Sequence, residues 1–402
     1  PYLFYMADQL NPNLYTTLKR HGIDHVIASD FACILVANNY GEGFAARWRP
    51  HPSLTLQQVQ DYRQGIKSLG YLFSTYMDVT DYFPGSELWD ENKAVLGPDG
   101  DLVDGWWGNY LTKPAMMPRI VQTVGRKSQE AYPSDCVYLD VHTNRGPTAL
   151  DFEAGAPGAG IAKDQVIANG DCILEARKWY GSTISEGLYR WMYAGLSDMD
   201  YATLITTGTA ADLPPLVDFD LLKIHPFQHG TMMGHHPDRL LGKEDLEELY
   251  KDKGHGPAPA GFYKYVAASL AYGHMAILGY WYTPPLARFV HHYALLQGVQ
   301  SEYLTDNACE IRYHDGDRLV PTSRALAEGT QSLGRVYVRY TRGLRLWVNC
   351  SAQGPWVVET GGRRYELPPH GWLIEKPGST LAFSALVDGR RVDFVRCPEY
   401  LY

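Results

Sequence analysis

The chain has 402 residues, 45% hydrophobic and 20% charged, a composition that excludes disorder and suffices for one large domain and a smaller one. Its net charge of −9 would repel polyanions, so nucleic acid and anionic membrane surfaces are excluded as partners and a neutral ligand fits better. No apolar run reaches the roughly 18 residues of a membrane span, no signal peptide opens the chain, and six cysteines without a CxxC pair argue against a zinc ribbon or dense disulfide framework. Residue 1 is Pro, set against the strand-like run Tyr2–Met6. A soluble, processed or trimmed chain is therefore expected, with secretion or periplasmic export left open.

In chain order, Tyr2–Met6 reads as a strand, Pro12–His21 as a helix stopped by Gly22, and His25–Ser29 as the next strand. After a Gly-, Asn- and Trp-rich excursion, Asp30 to Ser53, the spacing predicts a helix over Leu54–Leu69 with Ser53 as its N-cap and Gly70 as its stop. Tyr71–Val79 is the third strand, ending near Asp78. The loop Thr80–Lys113 that follows carries GPDGD and DGWWGNY, and loops of that length in compact domains are usually functional. A helix over Pro114–Ala131 leads to a buried strand beginning CVYLDVHT at Cys136. A helix over Asp164–Trp179 leads to the strand Ser182–Glu186. The alternation continues with a helix near Leu188–Leu196, strands at Ala202–Thr206 and Leu216–His225, a helix over Phe262–His274, a strand at Ala276–Trp281 and a closing helix over Pro285–Leu304.

Eight strands alternating with helices predict a (β/α)8 TIM-type barrel over residues 1–305, whose functional groups would sit at the strand C-termini. An open doubly wound sheet is the rival, but no GxGxxG follows the first strand, and no cofactor is expected. From Glu310 the texture turns to alternating runs split by turn signals at Thr341-Arg342-Gly343, Gly361-Gly362 and Asp388-Gly389. This predicts a small antiparallel β-sandwich domain over 306–402.

Two strand tips deliver acids, Asp140 on the fourth strand and Glu186 on the fifth. Glycoside hydrolysis needs two carboxyl groups flanking the scissile bond, and neighbouring barrel strands can hold them at about 5 Å, the separation used for retention. The shorter Asp140 suits the nucleophile and Glu186 the general acid/base. A strand-tip Asp can also merely cap the next turn, and SEG alone has almost no specificity. Tyr138, Asp140 and His142 alternate onto one face, so His142 either bonds a sugar hydroxyl or is structural, and Asp78 either grips hydroxyls or caps a turn. His225 at the tip of the seventh strand is a further substrate-contact candidate. Trp48, Trp106 and Trp107 in the two long loops offer flat faces for stacking on sugar rings. The histidines 225, 229, 235, 236 and 255 match no zinc spacing, so no metal is expected.

YLDV, the acidic loop and helix after it, SEG, the PLVDFDLLKIHP strand and the tail RVYVRYTRGLRLWVN resemble retaining α-glycosidases related to glycoside hydrolase families 101 and 129. The resemblance implies a retaining barrel enzyme whose nucleophile is Asp140 and whose acid/base is Glu186. Its substrate would be an oligosaccharide, polysaccharide or glycoconjugate with an α linkage. The alternatives are an inverting glycosidase using the same acids and a catalytically inactive carbohydrate-binding barrel.

Overall fold

The computed structural model describes residues 3–7, 12–30, 48–50, 53–106, 108–144, 146–147, 150–187, 190–193, 195–202, 241–273 and 285–402. The chain divides into two compact units that meet in sequence at Tyr201 and Ala202.

The first unit is built on a six-stranded sheet. Its strands are β1 (Leu3–Ala7), β2 (Val26–Asp30), β3 (Leu72–Met77), β6 (Cys136–Thr143), β7 (Ser182–Gly187) and β8 (Met199–Ala202), in that spatial order. The neighbours β2, β3, β6 and β7 pair in parallel and curl as half a barrel. The full (β/α)8 barrel expected from the sequence is not shown among the described residues. The strands expected at Leu216–His225 and Ala276–Trp281 lie outside them, and the expected Ala202–Thr206 strand is described only as the end of β8. Likewise the expected helix Leu188–Leu196 is described only as a short 3-10 turn, Arg190–Tyr193.

Helices α1 (Pro12–Arg20), α2 (Leu56–Ser68), α3 (Met117–Ala131) and α4 (Ala162–Tyr180) supply the crossovers. The cap of α2 is Thr55 and not Ser53: Thr55 and Gln58 satisfy each other's backbone N–H in a capping box, which a Ser two residues earlier is too far out to do. On α3 the buried residues Met117, Ile120, Val121, Val124 and Ser128 form one stripe, meeting Ala168, Cys172, Ile173 and Ala176 of α4 over Val137 and Leu139 of β6. Gly125 allows this close packing, since a Cβ there would come 2.8 Å from the Trp179 ring.

The long segment Thr80–Lys113 is a folded module. β4 (Asp81–Tyr82) pairs with β5 (Tyr110–Leu111), extended by bridges Ala94 to Thr112, Leu96 to Leu102 and Asp104 to Tyr110. The Trp89 ring lies 4.8 Å from that of Tyr82 and 5.8 Å from that of Tyr110.

In the second unit, nine antiparallel strands form one hydrogen-bonded sheet. They are β9 (Ala308–His314), β10 (Leu319–Pro321), β11 (Arg335–Tyr340), β12 (Arg345–Asn349), β13 (Trp356–Thr360), β14 (Arg363–Leu367), β15 (Trp372–Lys376), β16 (Thr380–Val387) and β17 (Arg390–Arg396). All three expected hairpin turns are present, with left-handed backbone at Gly343, at Gly361 and Gly362, and at Asp388 and Gly389. β16 takes β15 and then β14 on one edge and β17 on the other. The β13–β14 hairpin thus brings Trp356, Val358 and Leu367 against Tyr337, Trp347 and Leu373. α5 (Lys243–Lys251) packs against α6 (Ala260–Tyr272), which packs on β11 and β12, and α7 (Leu286–Tyr303) packs on β16 and β17. A helix at Thr322–Glu328, stopped by Gly329 at φ +73°, interrupts the strands where none was expected. Among the described residues no helix is long and apolar enough to cross a membrane.

His292 of α7 is buried edge-on between the rings of Phe262 and Tyr265, and burial pushes its pKa down to about 3. The unfolded chain, with an ordinary histidine, binds a proton below about pH 6.5 that the folded chain refuses. Stability is therefore complete above that pH and declines by up to about 1.4 kcal/mol per unit as pH falls toward 3. Urea titrations at pH 6.5 and 5 should show this loss, and His292→Phe should flatten it; an equally steep loss in the variant would trace the acid sensitivity to other groups.

Candidate active site

The parallel ladder between β6 and β7 runs regularly from Cys136–Ser182 to Leu139–Ser185, breaks, and resumes at Thr143–Gly187. The break is a bulge, and at its centre Val141 has φ +52°. A β-branched side chain is a genuine outlier there, with a strain cost on the order of 1–3 kcal/mol that the surroundings must hold. Ser185 does part of that holding: its hydroxyl donates to the Leu139 carbonyl at 2.6 Å and accepts from the Thr143 N–H at 3.3 Å, spanning the gap from the neighbouring strand. His142 does another part. Its ring is fully buried, with Nδ1 2.6 Å from the main-chain oxygen of Asp140.

The residue that the bulge presents is Asp140. One carboxylate oxygen accepts from the Tyr76 hydroxyl at 2.8 Å; the other accepts from the Tyr138 hydroxyl and the Val141 N–H, both at 3.1 Å. Tyr76 and Tyr138 are register partners on β3 and β6, and their rings stack at 5.9 Å. Three donors on two oxygens match an ionised carboxylate, which only accepts. Tyr76 is kept a donor: burial first, then the negative charges of Asp140 and Asp78, push its pKa well above the tyrosine range.

β3 ends in a tight turn made by Asp78, whose Oδ1 accepts from the N–H of Thr80 at 2.7 Å, the Thr80 hydroxyl at 2.8 Å and the N–H of Asp81 at 3.3 Å. Asp81 in turn accepts from the N–H of Trp106 at 3.2 Å, tying the turn Gly105–Asn109 to the strand end. Only glycine fits at 105, where a Cβ would lie 2.5 Å from the Asp81 carboxylate. Between the loops after β3 and β6 lies a cavity of about 230 Å³ lined by Asn92, Lys113, Asp151 and Glu153 among others. Its charges are matched internally, Lys113 pairing with Glu153 and donating to the Asn92 carbonyl at 2.7 Å.

Set beside the sequence-derived candidates, the geometry separates them. Asp140 stands at a built site. Glu186 lies on β7, one residue past the Leu139–Ser185 register pair just as Asp140 is on β6, at the point where the ladder breaks; its side chain lies outside the described residues, as do Trp107 and His225. Trp106 sits on the Asp81-anchored turn with 62% of its surface exposed. Three more candidates have described side chains. Asp78 is 1% exposed, and its Oδ1 caps the turn after β3. His142 is fully buried against the bulge. Trp48 packs on the helix-covered core of the sheet, with the Lys127 ammonium 3.9 Å from its ring centroid and its carbonyl bonded by Tyr132 at the end of α3. Reading the sequence missed Tyr76 and Ser185 as site residues. The available signal was position: Tyr76 precedes Asp78 by two on a strand adjoining that of Asp140. Among the described residues no group of three or more His, Cys, Asp or Glu side chains gathers as a metal site.

No protein-family model matches the chain, and no curated protein sequence does. The fold nevertheless has solved counterparts, and those compared are enzymes named for α-linked sugars: the chain has a distant α-glycosidase-like fold. One is an alpha-N-acetylgalactosaminidase from Bifidobacterium bifidum in complex with GalNAc, at TM-score 0.56 and 13% identity, covering 88% of this chain and 51% of that one. A second is a GH36 alpha-galactosidase from Geobacillus stearothermophilus in complex with raffinose, at TM-score 0.57 and 10% identity, covering 90% and 49%. The third is an alpha-amylase from Lactobacillus plantarum, at TM-score 0.52 and 14% identity, covering 98% and 96%. The chain thus spans about half the length of the first two. At such identities the likeness is one of fold.

Proposed function

We propose that the chain is a retaining glycosidase acting on α-linked oligosaccharides, polysaccharides or glycoconjugates. In this reading residues 1–305 form the catalytic barrel, 306–402 form a β-sandwich domain, and the chain is a distant relation of glycoside hydrolase families 101 and 129. The observation that carries the reading is Asp140: a carboxylate held by three donors at a strained strand end, beside the strand of Glu186, on a fold shared with α-glycosidases.

In the first step Asp140 attacks the anomeric carbon, the bond to the leaving oxygen breaks, and Glu186 gives that oxygen its proton. In the second, water attacks the glycosyl ester, Glu186 takes the water's proton, and Asp140 leaves as carboxylate. The net reaction adds one water across the glycosidic bond. Trp106, Trp107 and His225 are the proposed substrate contacts.

A panel of 4-nitrophenyl α- and β-glycosides tests the reading. Nitrophenol should be released from an α-glycoside alone, with the α-anomer as the first sugar seen by NMR. A first-formed β-anomer would assign the acids to an inverting mechanism. Saccharide binding without hydrolysis of any member would favour the inactive carbohydrate-binding barrel. Within the reading, Tyr76→Phe removes one hydrogen bond to a charged group at nearly constant volume. Without that bond the carboxylate is less firmly aimed, and about 1 Å of misplacement costs on the order of 10²-fold, so kcat should fall roughly 10- to 100-fold with the fold retained. A kcat within a factor of two of the native value would mean that the Tyr76 contact does not tune Asp140.

A further inference from the structure

Ser185 is fully buried, and its one hydroxyl serves both sides of the bulge: it donates to the carbonyl of Leu139 and accepts from the N–H of Thr143, the two residues that bracket Asp140, Val141 and His142. The ladder between β6 and β7 has no regular backbone pairing over those three residues, so this side chain replaces a missing rung. It is also the residue immediately before Glu186 on β7. We propose that Ser185 is a positioning residue that couples the strand of Asp140 to the strand of Glu186, setting the separation of the two acids without touching substrate.

Val141 at φ +52° stays in a disfavoured backbone region only while its flanks are pinned. His142 pins the bulge from within its own strand, whereas Ser185 pins it to β7. Loss of the hydroxyl would let Asp140 move relative to Glu186, and about 1 Å of misplacement costs on the order of 10²-fold in rate. Thr183 provides an internal control. It is two residues earlier on the same strand, equally buried, and its hydroxyl has no partner among the described residues.

The inference rests on the glycosidase reading, and the experiment keeps the two failures apart. The probes are 4-nitrophenyl, 4-chlorophenyl and phenyl α-glycosides, which differ in leaving-group acidity. If the native chain hydrolyses none of them, the glycosidase reading falls. If it hydrolyses them, Ser185→Ala should lower kcat about 10- to 100-fold with KM within about threefold. It should also narrow the bell-shaped pH profile or shift one limb, and steepen the dependence on leaving-group acidity, because the acid no longer meets the leaving oxygen correctly. Ser185→Thr, which keeps the hydroxyl, should restore most of the rate, and Thr183→Val should leave the pH profile unchanged. Hydrogen exchange at Thr143 should quicken in Ser185→Ala alone, a readout that needs no activity. A lowered kcat in Ser185→Ala with pH limbs and leaving-group dependence unchanged, or the same change in Thr183→Val, would overturn the proposal. Unaltered exchange at Thr143 would overturn it as well.

Discussion

Asp140→Asn is expected to abolish turnover on every substrate, a loss of at least about 10³-fold, with secondary structure and melting behaviour close to native. The nucleophile is needed in both steps, so no activated leaving group can bypass it. The change is nearly isosteric. The amide oxygen can still accept from one of the tyrosines, while the amide nitrogen faces a donor that held a carboxylate oxygen. Activity within about tenfold of native on a nitrophenyl glycoside would remove Asp140 from covalent catalysis.

The second large effect separates the roles of the acids. Glu186→Ala is expected to lose most activity on substrates whose leaving oxygen needs a proton, while glycosylation by a 2,4-dinitrophenyl glycoside is largely spared. Its space admits a small anion, and azide should restore turnover and yield a glycosyl azide with the substrate's own anomeric configuration, since two inversions restore it. The reverse pattern, a glycosyl azide of retained configuration from Asp140→Ala and of inverted configuration from Glu186→Ala, would show that the two roles are exchanged. Full activity in both variants would take the pair out of catalysis.

The strand order and helix positions of the first unit were legible because they follow from periodicity and stop signals: Gly22 and Gly70 end helices where expected, and β6 and β7 fall where buried apolar runs predicted them. The hairpins of the second unit were legible for a similar reason, since Gly361-Gly362 and Asp388-Gly389 are turn chemistry written locally. What escaped was whatever depends on a partner distant in sequence. Strict alternation placed Tyr138, Asp140 and His142 on one face, but the bulge at Val141 breaks that alternation. No local pattern announces that Val, a poor residue for positive φ, adopts it because Ser185, His142 and the Asp140 carboxylate hold its neighbours. Trp48 depends on distant partners in the same way: nothing in its Gly-rich loop announces that Lys127 of α3 will lie over its ring or that Tyr132 will bond its carbonyl.

The module Thr80–Lys113 has a consequence for how this protein can diversify. Its hairpin and its three bridges are internal, but Tyr82 and Ala94 sit in the same buried core as Met117, Val121 and Val137, and Leu96 bonds Asp151 and Phe152 beyond β6. A segment rooted in this way cannot be exchanged whole without disturbing the packing under the bulge that carries Asp140. Its exposed turn at residues 98–101 makes no such contact, and there length and sequence can vary at little cost.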